Sequence, residues 1–332
     1  MVLWTCLARL VQQLPALPPA EILLINNSDH HWNLPDALNC VRQIHRPRRA
    51  SAAHARNEGA RLARGRYLVF VDSDVWLEAN AVVRLIAPLQ RDAADATVGN
   101  YSTDIRGLRF AQGFKQLYIH HVYAERGLEM RHDFWTAISA VRADRFRQLN
   151  GFDDSFDGAC GEDMEFGIRA TRAGLRLLRV PKARGQHHHD YTLAGLVRND
   201  WRKGRTVMRN TLRARTPLTD HSHAAPRNVR AVAAAGALVA GVVGSIWWPP
   251  LVVVAGVSAT VWLIAKRGLL QLFARVTSLP FVVAAIPLLF SLDLVRGGCV
   301  AVALLEKWFV RAPVARREPW IPQISPTKNE HP

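Results

Sequence analysis

The chain has 332 residues, 49% of them hydrophobic, which allows one sizeable core with roughly a hundred residues to spare. Its 43 basic and 27 acidic residues give a formal charge of +16, pointing to nucleic acid, anionic lipid or phosphorylated ligands. No nucleic-acid motif or aromatic-interleaved basic stretch accompanies that charge, so nucleic acid is set aside, and the four scattered cysteines form neither a CxxC nor a Cys/His ligand pattern.

In chain order, Leu3–Leu14 is helix-like, and Arg9 within it argues against a secretory signal. Glu21–Ile25 is a strand, Ser51–Arg64 a helix and Tyr67–Val71 a strand ending in Asp72-Ser73-Asp74. Glu78–Leu89 is helical and Phe134–Val141 extended. Glu162–Ala173 forms a helix ended by Gly174, and Leu175–Val180 a strand stopped by Pro181. This alternation over residues 1–195 predicts an α/β domain with a mostly parallel sheet and ligands at the carboxyl ends of its strands.

Residues 196–230 are a basic juxtamembrane segment: from Arg198 to Arg230 there are nine Lys or Arg against Asp200 and Asp220. Residues 231–310 then form membrane or interfacial helices. Ala231–Ala265 carries no charge, and as one helix it would be about 52 Å long, too long for a hydrocarbon core of about 30 Å. Trp247-Trp248-Pro249-Pro250 divides it into a hairpin of two short spans. Leu269 to Val276 has the spacing of an amphipathic interfacial segment. Asp293 and Arg296 interrupt the next apolar region, and with the basic tail, residues 311–332, they predict a second turn at Asp293–Gly298 and an even number of crossings. A single tilted span from Leu279 to Leu305 is the alternative.

Five blocks, in order, give the chain a family resemblance: Glu21–Asn27, Ala55-Arg56-Asn57-Glu58-Gly59-Ala60, Gly65 through Asp74, Gly151-Phe152-Asp153-Asp154-Ser155-Phe156 and Gly161-Glu162-Asp163. Over about Glu21 to Asp190 the chain resembles the inverting family 2 glycosyltransferases of the GT-A fold, a Rossmann-like nucleotide-diphospho-sugar transferase domain. The resemblance implies a Mg²⁺ or Mn²⁺ ion held by Asp72 and Asp74, with Asp74 in direct contact and Asp72 reaching either the metal or the ribose. A helix N-cap is the plainer reading of that pair. His187 and His189, in His187-His188-His189-Asp190, are the candidates to complete the metal site.

The resemblance further makes Asp163 the general base and Glu162 the group that orients it or the acceptor, although acids at a helix start also suit the helix dipole. Arg56 is placed near the nucleotide base or diphosphate, and Asn26 and Asn27 at the nucleobase. The implied partners are a nucleotide-sugar donor, a UDP-sugar foremost, a lipid-linked or glycan acceptor, and a membrane. The implied setting is a multi-pass protein of the cytoplasmic membrane with its catalytic domain inside. A polyprenyl-phosphate acceptor and a non-catalytic membrane scaffold are the competing readings. The family's first strand and its Asn-containing loop have no counterpart in this chain, so the sheet is expected to expose a hydrophobic edge.

Overall fold

The computed structural model describes residues 1–46, 51–124, 128–130, 134–155, 161–214 and 226–309; Phe156, Cys160, Asp220 and the basic tail lie outside them. The main sheet has the order β3 (Tyr67–Val71), β7 (Ile138–Arg142), β5 (Ala96–Tyr101), β8 (Leu177–His187), β4 (Val75–Leu77), and β6 (Glu129–Met130) pairs with β8. Of its pairings, β5–β8 is parallel and β3–β7, β5–β7, β4–β8 and β6–β8 are antiparallel. The sheet is therefore mixed rather than mostly parallel.

Two further strands, β1 (Ile22–Asn26) and β2 (Val41–His45), form a separate parallel pair. The bond from the Arg46 N–H to the Asn26 carbonyl shows that Ile22, Leu24 and Asn26 face β2, so Leu23 and Ile25 point their backbone groups away from it. On β3, the bonds Ala143 N–H to Arg66 O and Asp72 N–H to Ala137 O turn the even-numbered residues toward β7. Tyr67, Val69 and Val71 then face an edge that has no strand partner among the described residues. Both edges lie under the same helices. In α2 (Ala52–Leu62), Gly59 meets Ile25 while Ala53 and Ala60 join the core around Leu68 and Phe70. In α1 (Val2–Val11), Leu7 packs with Leu24 while the Cys6 thiol donates to the Asp72 carbonyl at 3.6 Å. The expected break beside the first strand is thus a division of the sheet between β1 and β3.

Strand β8 is not stopped by Pro181. Its register against β5 shifts between Val98↔Arg179 and Asn100↔Arg184, a bulge that accommodates the missing donor and lets the strand continue to His187. Where β5 crosses β8 and β7 only glycine fits: a Cβ on Gly99 would stand 2.5 Å from the Ala183 carbonyl and 2.6 Å from Ile138. Helix α3 (Ala81–Gln90) covers one face. On the other, Phe70, Phe134, Phe146, Phe152 and Phe166 pack with ring centroids 5.0–6.4 Å apart.

The C-terminal helices are α7 (Leu193–Ala214), α8 (Pro226–Gly244), α9 (Leu251–Val276) and α10 (Leu279–Phe309). The last three contain segments long and apolar enough to cross a membrane. Helices α8 and α9 form the expected hairpin, with Trp247 and Trp248 exposed at its tip, and they approach closely where Gly241 meets Ala255. Two expectations fail. Helix α10 runs unbroken through Asp293–Gly298, so there is no second turn. Leu269 and Phe273 do not lie free at an interface; they are buried, with Phe273 against Phe114 of α4 (Phe110–Ala124) and against Phe281.

Asp293 and Arg296 do not mark a turn; they lie inside the helical packing. Asp293 accepts from Lys266 and from the Trp262 indole, at 3.1 and 2.9 Å, and Arg296 bridges Asp293 to Asp200 of α7. Asp200 in turn pairs with Lys115 of α4 at 2.8 Å. An interior charge is tolerable only when paired in this way. The chain of ion pairs fastens the apolar helices to the α/β domain.

Candidate active site

The site forms at the β3–β4 link, where three family-like blocks meet. Ser51 caps α2 by accepting from the His54 N–H at 3.2 Å, and the helix presents Arg56 and Asn57 one after the other. Arg56 donates one guanidinium nitrogen to Asp72 at 2.7 Å and another to Glu162 at 2.8 Å. A planar fork suits this double duty, which a lysine ammonium cannot reproduce. Burial works against the charge on Arg56, but Asp72 and Glu162 outweigh it and hold its pKa above the ordinary value.

Asn57 fixes the next block. Its amide donates to the Phe152 carbonyl and its side-chain oxygen accepts from the Phe152 N–H, both at 2.8 Å. Gly151 precedes Phe152 at φ +63°, and a Cβ there would stand 2.5 Å from the Asn57 oxygen. Arg169, paired with Glu165 on α6 (Glu162–Arg172), also donates to the carbonyls of Leu149 and Gly151. The Glu165–Arg169 pair therefore braces the loop that leads toward α6. Gly161, at φ +96°, begins that helix, and Glu162 and Asp163 stand in its first turn, where carboxylates are favoured. Glu162 is almost wholly buried, with one oxygen on Arg56 and Oε2 without a partner. Asp163 accepts from the Met164 N–H at 2.8 Å and lies close enough to add its charge to Arg56.

On the other side of the link, Asp74 lies 3.4 Å from His187 Nε2 and 3.2 Å from His189 Nδ1. The ligand atoms of these three residues all fall within 4.8 Å of one another, the one such group among the described residues that could hold a metal ion. Alternation along the extended chain at the end of β8 selects these histidines: His187 stacks on Tyr101 and on His189, whose ring meets Tyr191 at a tilt, while His188 turns the other way and stacks on Trp76. Backbone bonds hold the turn: the His188 N–H reaches the Asp74 carbonyl at 2.7 Å, the His187 N–H reaches Gln116, and Gln112 donates to the His189 carbonyl. Burial alone would raise the Asp74 pKa, but His187 first and then His189 keep it below the ordinary carboxylate value. One carboxylate and two imidazoles fit a divalent first-row ion.

Asp72 falls outside that cluster, since its carboxylate is directed to Arg56. Asn26 is buried and committed to its own loop: its amide donates to the His30 carbonyl and Gln43, and its oxygen accepts from the N–H and hydroxyl of Ser28. Asn27 keeps a buried Oδ1 without a hydrogen-bond partner. Cys6 abuts the link from beneath. Burial, with the charges of Asp74 and Asp72, pushes its thiol up to about 12, so it is a packing group and not a nucleophile. Sequence reasoning passed over Tyr101, Gln112 and Gln116. The signal for Tyr101 was its place at the end of a strand, far along the chain from the His187 ring that stacks on it.

The sequence model of glycosyl transferase family 2 matches residues 2–157, and that of the N-terminal domain of galactosyltransferase matches residues 123–193. Residues 2–157, just under half of the chain, form a glycosyl transferase family 2 domain. The family 2 domain is 34% identical over 87 residues to glycosyltransferase GlyG of Streptococcus pneumoniae, a match covering 24% of this chain and 29% of the relative. It is 27% identical over 161 residues to N-acetylgalactosaminyltransferase 4 of Drosophila melanogaster, covering 43% of this chain and 25% of that protein. The matches thus span under a third of either relative's length. Among solved structures, mannosyltransferase PcManGT of Pyrobaculum calidifontis, in complex with GDP-Man and Mn²⁺, aligns with a TM-score of 0.48 at 15% identity, over 87% of this chain and 78% of that one. The family 2 domain has the GT-A fold, here with its sheet divided between β1 and β3.

Proposed function

We propose that this protein is an inverting, metal-dependent glycosyltransferase of the cytoplasmic membrane. It moves a sugar from a nucleoside diphosphate sugar, a UDP-sugar, to a hydroxyl of a lipid-linked or polysaccharide acceptor. The observation that carries this reading is the convergence of Asp74, His187 and His189 on one ligand-sized space, beside an arginine that ties Asp72 to Glu162. A bound divalent ion, Mn²⁺ by the imidazole-rich donor set, supplies Lewis-acid stabilisation of the leaving diphosphate.

The chain's own residues do the rest. Asp163, half-buried in the first turn of α6, takes the proton of the acceptor hydroxyl as its oxygen bonds to the anomeric carbon and the bond from that carbon to the diphosphate breaks. Glu162 accepts from Arg56 and holds the helix start against the β3–β4 link. Arg56 is thereby fixed in place and adds positive charge beside the departing diphosphate. Asn27 offers its unpartnered oxygen to a nucleobase, a role Asn26 cannot take while its loop bonds persist.

An ionised phosphate acceptor needs no base, whereas a hydroxyl does. Turnover of the full chain with UDP-sugars and Mn²⁺ is therefore measured for the wild type and for Asp163→Asn. A fall of about 10²–10⁴-fold in kcat with donor binding retained is expected; near-normal turnover would sink the hydroxyl-acceptor mechanism. A chain that binds no nucleotide sugar with metal would instead be a scaffold.

A further inference from the structure

At the root of the α8–α9 hairpin lies a cavity of about 490 Å³, remote in sequence from every family-like block. Arg227 and Arg230 enter it from the first turns of α8, and Arg267 and Gln271 from α9; Val261 and Ile264 form its apolar wall. A basic flank on a membrane hairpin is ordinary. What that rule does not account for is that cations from two helices converge on a single concavity.

The electrostatics around the cavity are one-sided. Neither α8 nor α9 contains an acidic residue, and α4, which borders the adjoining space, has none either. Among the described residues no carboxylate stands within ion-pair distance of Arg230 or Arg267. The nearest buried acids, Asp200 and Asp293, are already shared among Lys115, Lys266 and Arg296. A second hollow of about 240 Å³ shares Gly268 and Gln271 with the first and adds His120, His121 and Arg275. The groove therefore carries positive charge along its length while its wall continues into the exposed apolar surface of Val257, Val261 and Ile264. Several guanidinium donors beside an acyl-compatible wall match an amphiphile with an anionic head.

We propose that this cavity binds the phosphate head group of a membrane lipid, with Arg230 and Arg267 on the phosphate oxygens and the acyl or prenyl chain against Val261 and Ile264. The inference rests on the membrane placement of the hairpin and is independent of catalysis. Its place beside α4 matters, because that helix also supports the metal loop: Gln116 holds the His187 N–H and His120 holds the Tyr101 carbonyl. A lipid held there sits one helix away from Asp74 and its histidines.

The test uses the purified full chain in a neutral maltoside detergent, titrated with phosphatidic acid, phosphatidylcholine or inorganic phosphate and read by native mass spectrometry. The expected result is one retained phosphatidic acid that excess inorganic phosphate does not displace, and little phosphatidylcholine. Arg230→Gln with Arg267→Gln should weaken retention at least about tenfold, the loss of two charge-assisted contacts. Arg42→Gln with Arg91→Gln removes equal charge elsewhere and should leave it unchanged. Equal retention by the Arg230/Arg267 variant, or an equal loss in the Arg42/Arg91 control, would overturn the site. Displacement by inorganic phosphate would overturn the lipid assignment. Should the double variant fold poorly, Arg267→Gln alone gives the same comparison. Because lipid retention is read without turnover, failure of the transferase reading leaves this outcome intact.

Discussion

Lys115 of α4 and Asp200 of α7 form a buried ion pair at 2.8 Å, and through Arg296 this pair continues into the apolar helices. The same helix α4 holds the His187 backbone through Gln116. The apolar helices and the His187 loop are therefore braced by adjacent positions on one helix.

Removing Asp200 should be more damaging than removing Lys115. Asp200→Leu leaves two buried cations, Lys115 and Arg296, without that carboxylate, whereas Lys115→Met leaves Asp200 paired with Arg296. Thermal unfolding of the detergent-solubilised chain should show a loss of about 3–5 kcal/mol for Asp200→Leu. Lys115→Met should show a smaller one. The reverse order would show that the network is not continuous.

Acid sensitivity should follow the same residue. Burial alone would raise the Asp200 pKa, but Lys115 and Arg296 hold it well below the ordinary carboxylate range. A depressed folded-state pKa contributes stability that is complete above about pH 4, the unfolded value, and is lost as pH falls through the lower folded value. Between those limits wild-type unfolding free energy should decline with falling pH, and Asp200→Asn should be less stable at neutral pH with a flatter acid limb.

Gly151→Ala should uncouple two of the sequence blocks. The position has a positive φ, and the new Cβ would meet the Asn57 oxygen that receives the Phe152 N–H. A loss of about 1–3 kcal/mol in denaturant unfolding is expected. Asn57→Ala, which removes both bonds to Phe152, should cost about as much. The two losses combined should fall short of their sum, because both act on one clamp.

The histidines should separate by parity. Mn²⁺ binding, followed by electron paramagnetic resonance of the free ion, should weaken about 10–100-fold or more for His187→Ala and for His189→Ala. His188→Ala should leave affinity within about twofold, since that ring lies on Trp76 and faces away from Asp74. An equal loss at His188 would refute the assignment.

Amide exchange should report the divided sheet. The N–H groups of Leu68 and Phe70 bond to β7 and should be protected, while those of Val69 and Val71 face the edge without a strand partner and should exchange faster.

The sequence by itself carried the local chemistry. Apolar runs and helical spacing located α2, β3 and α6, and an uncharged run divided by Trp247-Trp248-Pro249-Pro250 located the α8–α9 hairpin, because each of these signals lies within one short stretch of chain. Short motifs named the acids and histidines, because their chemistry is inherent in the residue types. Strand β2, the run of β8 past Pro181 and the mixed sheet were not legible, since each depends on which strand lies alongside and a bulge can absorb a proline.

The site divided along the same line. That two carboxylates one residue apart serve different partners, Asp72 on Arg56 and Asp74 on the histidines, was decided by the turn of the β3–β4 link and the placement of α2. Asp293 and Arg296 look like a membrane turn when only their neighbours in the chain are considered. Tertiary structure alone supplied Asp200 and Lys266, and an interior charge acquires its meaning from the opposite charge that folding brings to it.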